Sequence, residues 1–126
     1  MAKKEFTYRG KNLQELQSLD LKALAAVFPA PSRRKLLRGL SEGEKTLLKN
    51  LQQRDRVKTH CRDMLVLPAM IGKTVMLHTG KEFAPLTMTE QMLGHRLGEF
   101  ALTRKRVQHS APGIGATRSS ASASVR

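Results

Sequence analysis

Lysines and arginines number 23 along this chain against 10 aspartates and glutamates, and the resulting formal charge of +13 is carried on only 126 residues. Such an excess repels itself in any compact state. A polyanionic partner relieves that repulsion and returns the entropy of released counterions, so nucleic acid is the first inference. An anionic membrane surface is the rival reading. Against it, the sequence has no apolar run near 18 residues, no signal-peptide core and no lipidation motif. The 40% apolar content suits one modest core without a large enclosed active site. Cys61 is the only cysteine, which excludes an intrachain disulfide and makes a cytosolic location the default. The rings are few (Phe6, Tyr8, Phe28, Phe83 and Phe100, with no Trp), which favours reading of phosphate, sugar and groove shape over repeated base stacking.

The pattern along the chain predicts an α+β fold. Phe6-Thr-Tyr-Arg-Gly10 reads as a short extended piece, and Leu13, Leu16 and Leu19 recur at three-residue spacing. Asp20 is placed to cap a helix that ends before Pro29, and a basic helix from Ser32 to Arg38 stops at Gly39. Ser41 and Glu44 have capping-box spacing ahead of a helix reaching about Gln53. These amino-terminal helices have small apolar faces and must lean on the core or on a partner. Met64-Leu-Val-Leu67 reads as a buried strand. The segments 74–79 and 82–88 around Gly80-Lys81 read as a β-hairpin, with Pro85 confined to an edge. The expected fold is therefore a small, mostly antiparallel, three-stranded sheet with short flanking helices. Thr89 can cap a short helix to Gly94, after which Leu97 and Phe100 return an apolar face. Beyond Glu99 there is no acidic residue, and from Ser110 the chain is mainly Ser, Ala, Gly and Thr. That composition cannot offset its own ordering entropy, so the tail is expected to be disordered or shaped by a partner. Three regions follow: a helical extension over 1–57, an α+β core over 58–108, and a flexible basic tail over 109–126.

Several motifs imitate catalytic or ligand-binding chemistry without completing it. Gly72-Lys73-Thr74 imitates a phosphate-binding loop, but the full pattern needs glycine where Leu67 stands, and a helix where Val75-Met-Leu-His78 reads as strand. Gly113-Ile-Gly115 lacks the third glycine of a dinucleotide fingerprint, since Arg118 occupies that position. Cys61 with His60, His78, His95 and His109 matches no usual zinc spacing, and no cofactor or metal is expected. No Ser-His-acid arrangement or carboxylate pair marks an active site, so no enzyme activity is expected. The basic clusters remain. Arg33, Arg34, Lys35 and Arg38 place four cations within six residues, and Lys58 to Arg62 and Arg104, Lys105 and Arg106 bracket the predicted sheet. Phosphate contact is the reading preferred over a merely solvated face.

Thr59-His-Cys-Arg-Asp-Met-Leu-Val-Leu-Pro68, His78-Thr-Gly-Lys81 and Met92-Leu-Gly-His-Arg-Leu-Gly-Glu-Phe100 resemble the small-subunit ribosomal protein S-nineteen family. The segment from Leu102 to Ser120, with the opening Phe6-Thr-Tyr-Arg-Gly10 and the run Arg38-Gly-Leu40, resembles its archaeal and eukaryotic branch, called S-fifteen in eukaryotes. The resemblance implies a structural constituent of the small subunit, bound to ribosomal RNA of the head in cytoplasmic ribosomes. It implies ribosomal protein S-thirteen and other head proteins as neighbours, a nearby bridge to the large subunit, and a tail directed toward the decoding site and its transfer RNAs. By position it implies that His60, Arg62, His78, Lys81, Gly94, His95 and Arg96 face RNA, with Arg104 to Arg118, including Lys105, Arg106 and His109, forming the tail. Two rivals come from other classes. A free-standing nucleic-acid chaperone fits the charge but gives no role to the fixed Pro-Gly-Ile-Gly pattern of the tail. A small nucleotide hydrolase rests only on Gly72-Lys73-Thr74.

Overall fold

The computed structural model describes residues 4–108 together with Gly113 and Gly115; the tail expectations for 109–126, among them His109 and Arg118, lie otherwise outside the described residues. The chain opens with a two-stranded hairpin, β1 (Thr7–Tyr8) paired antiparallel to β2 (Lys11–Asn12). Arg9 and Gly10 both have positive φ, 47° and 80°, as a two-residue turn matched to strand twist requires. The expected single extended piece is thus folded back on itself.

Four helices follow: α1 (Leu13–Ser18), α2 (Leu21–Val27), α3 (Ala30–Arg38) and α4 (Glu42–Gln53). Their ends follow the predicted punctuation. Asp20 stands at the N-cap of α2. Helix α3 begins two residues before Ser32, because Pro31 tolerates the first turn, where its missing N–H is not needed. It stops at Gly39, whose φ of 94° is open to glycine alone. At α4 the capping box forms: the Ser41 amide donates to Glu44 Oε2 at 2.9 Å, and the Glu44 amide donates to Ser41 Oγ at 3.4 Å.

The second sheet has three strands in the order β3 (Arg56–Thr59), β4 (Thr74–His78), β5 (Phe83–Thr87). The hairpin β4–β5 turns at Gly80, with φ 102°, and Pro85 lies on the outer strand as its missing N–H demands. The third strand is not the one expected. Arg56–Thr59 pairs with β4 in parallel, so only one of the two pairings is antiparallel. Met64-Leu-Val-Leu67 is buried in the crossover between β3 and β4, where it meets the chain around Gly94. Val66 donates to His95, Gly94 to Val66, and Leu97 to Met64, at 2.8, 3.2 and 2.9 Å. An apolar run reports burial and leaves the choice of strand partner open. The alternation in β3 is visible only as Val57 and Thr59 turned inward between charges.

One buried cluster joins both halves of the chain: Leu16, Leu24, Phe28, Leu36, Leu47 and Leu51 from the helices meet Met64, Val66, Val75, Leu77 and Leu97. The amino-terminal helices therefore lean on the core. Among the described residues, no helix is long and apolar enough to cross a membrane.

Candidate nucleic-acid interface

Helical periodicity splits the basic cluster of α3 into three faces. Ser32 and Leu36 are buried, one turn apart. On the next face, Pro31, Arg34, Lys35 and Arg38 line a shallow cleft of about 410 Å³. Its opposite wall is Arg96, from the corner after Gly94. Two basic segments about 60 residues apart thus share one concave surface. Among the described residues, no carboxylate lies within 4.0 Å of Arg34 or Arg38. Arg96 has only an exposed, 3.4 Å contact with Asp63, which water screens and a phosphate can displace.

The Gly94 corner that holds Arg96 is rigid. Its φ is 81°, and a Cβ there would meet Tyr8 Oη at 2.9 Å, while Tyr8 packs edge-on against buried Phe28 with ring centroids 5.7 Å apart. Leu97 is fully buried, so the chain on either side of Arg96 is fixed. His95 is exposed, with Nδ1 2.9 Å from Glu99 Oε2 and its ring edge-on to Phe100.

Several of the expected RNA-facing cations make bonds that hold the fold together. Arg33 donates to the carbonyls of Ala25, Ala26 and Phe28, closing the exposed end of α2. Lys35 Nζ lies 2.7 Å from Glu44 Oε1, so its charge is matched even though it lines the cleft. Burial of Glu44 opposes its ionisation, but the bonds from Lys35 and Ser41 outweigh that and hold its carboxyl below its ordinary range. Arg62 donates to the carbonyls of His78, Gly98 and Ala101, at 2.7, 2.9 and 2.5 Å. Gly98 is needed beside it, since a Cβ would come within 3.2 Å of the Arg62 backbone and side chain. Lys73 donates to the Leu51 carbonyl near the end of α4, and Thr74 opens a strand; the loop imitating a phosphate cradle is a helix-to-sheet joint.

The outer face of the three-stranded sheet brings the remaining candidates together. Val57, Val75, Leu77 and Leu86 point to the core, which turns Arg56, Lys58, Met76 and His78 outward. His60, just past β3, stacks on His78 with ring centroids 4.4 Å apart, and Phe83 closes the group at 4.9–5.2 Å from both. Lys58 Nζ sits 5.2 Å from the Phe83 ring centre. Charge and motif do not single out Phe83; its signal in the sequence is its place opposite His78 in the hairpin register. Lys81 is exposed at the hairpin turn, and Arg104, Lys105 and Arg106 are exposed past the core. Among the described residues, no three His, Cys, Asp or Glu side chains are grouped to hold a metal.

A family model described as ribosomal protein S19 matches residues 33–109, more than half of the chain. The chain belongs to the ribosomal protein S19 family. It is also 46% identical over 123 residues to the small ribosomal subunit protein uS19 of Cenarchaeum symbiosum, covering 93% of this chain and 94% of that one. The match to the ribosomal protein S19 family model takes in α3 from Arg33 onward, the mixed sheet and the Gly94 corner, so the cleft's Arg34, Lys35, Arg38 and Arg96 lie inside it.

Proposed function

We propose that this chain is a structural, non-enzymatic component of the small ribosomal subunit, acting in translation by binding ribosomal RNA of the subunit head. The observation that carries the reading is the cleft where Arg34 and Arg38 face Arg96 across a rigid corner. Arg96 stands on a rigid corner, and the convergence of three cations suits a backbone that curves between two contacts. The assignment to the small subunit draws on the family and on the name of the relative. The finer placements rest on the resemblance: ribosomal protein S-thirteen and other head proteins as neighbours, a nearby large-subunit bridge, and a tail over 109–126 directed toward the decoding site and transfer RNAs of cytoplasmic ribosomes.

The test is binding of the full chain to the head segment of small-subunit ribosomal RNA over a salt series, with co-sedimentation of chain and small subunits through a high-salt sucrose cushion. Retention on the subunit is expected, with a binding slope that flattens by about one unit for each of Arg34, Arg38 and Arg96 replaced by alanine. Loss of the chain from the subunit at high salt, with equal affinity for any RNA or DNA, would favour a free-standing chaperone and overturn the reading.

A further inference from the structure

We propose that the His60–His78–Phe83 group is a stacking platform for an unpaired nucleobase, a contact distinct from the phosphate cleft. The inference rests on the RNA-binding reading and adds a chemical class of ligand to a second surface.

The three rings come from three neighbouring chain segments at one end of the sheet. His78 pairs with Phe83 across the hairpin, and His60 follows directly on Thr59, which pairs with Leu77. The sheet thus sets the rings side by side on its outer face. The group is also held in place. The Gly80 amide donates to His78 Nδ1 at 3.1 Å, which fixes that ring and leaves the hydrogen of the neutral imidazole on Nε2. His60 and His78 are tilted by only 31°, whereas Phe83 stands edge-on to both, at 72–79°. His60, the outermost of the pair, is exposed, while His78 and Phe83 are half-buried. An exposed ring backed by a second ring tilted 31° from it is a surface for one further flat ring. The surrounding charge selects its kind: Lys58 and Arg56 lie on the same face and are exposed, so a ring carried on a phosphate chain is favoured over an aromatic side chain of a protein. A paired helix cannot offer a base face to such a platform, so the ligand is a looped-out or single-stranded nucleotide.

The experiment uses the full chain and two RNA probes of equal charge: a hairpin with one looped-out 2-aminopurine, and the same hairpin fully paired. The parent protein should quench the looped-out fluorophore and bind that probe more tightly than its paired control. His60→Ala should abolish the quenching and weaken binding to the looped-out probe by about tenfold, leaving the paired probe unaffected. His60→Phe should restore both, because the face of the ring is what matters. Equal weakening on both probes, unchanged quenching in His60→Ala, or no rescue by His60→Phe would each overturn the platform while leaving the cleft's salt dependence standing. Failure of the parent to bind either probe in a salt-dependent way would overturn the RNA-binding reading itself.

Discussion

The Lys35 ammonium reaches across from α3 to the Glu44 carboxylate at 2.7 Å, and Glu44 at the same time closes the capping box of α4 with Ser41. One buried carboxylate therefore pins two helices and sets the start of the second. Replacing it with alanine removes a cap and leaves a partly buried ammonium unmatched, so Glu44→Ala should destabilise the protein by about 1–3 kcal/mol. The pH dependence follows from the direction of its shift. A carboxyl held below its ordinary value of 4.5 contributes stability that is complete above that pH and lost as pH falls through its lower folded value. Thermal melts between about pH 6 and 2 should show this loss in the parent, and Glu44→Gln should reduce it.

Arg33 and Arg34 are neighbours in different settings: Arg33 closes the end of α2, and Arg34 lines the cleft. Arg33→Ala should lower thermal stability by about 1 kcal/mol or more through the uncapped α2, with little change in the salt slope of RNA binding. Arg34→Ala and Arg38→Ala should leave the melt unchanged and each flatten the slope by about one unit. Equal slopes for all three variants would mean that the cleft gives Arg34 and Arg38 no special standing.

At the corner, Gly94→Val should disturb folding on two grounds: the φ of 81° and the Tyr8 hydroxyl 2.9 Å from any Cβ. A loss of about 2 kcal/mol or more is expected. Arg96→Ala should instead keep the melt and lower affinity for head RNA by about 1–3 kcal/mol. Paired melting and binding measurements distinguish the two; an unfolded Arg96→Ala would show that the corner needs this side chain for its structure.

Arg62 offers the sharpest contrast with a phosphate ligand. Its three acceptors are backbone carbonyls that a point charge cannot reach together, so Arg62→Lys should destabilise nearly as much as Arg62→Met, by about 2 kcal/mol. A phosphate contact would tolerate lysine in both melting and binding assays.

The sequence by itself determined whatever depends on a residue and its near neighbours. The Ser41–Glu44 capping box, the stops at Pro29 and Gly39 and the hairpin turn at Gly80 were all legible, because each is a local demand on the backbone. The charge excess likewise points to a polyanion whatever the fold. Only the tertiary structure decided which strand lies beside β4, because Arg56–Thr59 and the more apolar Met64-Leu-Val-Leu67 competed for one place and the paired residues of β3 and β4 are 18 apart. It alone decided which cations are tied to backbone carbonyls and which line the open cleft. Arg62 and Gly98 are 36 residues apart, and Arg33 and Ala25 are 8. A long basic side chain serves whichever acceptor the fold brings within reach, and sequence order does not encode that distance.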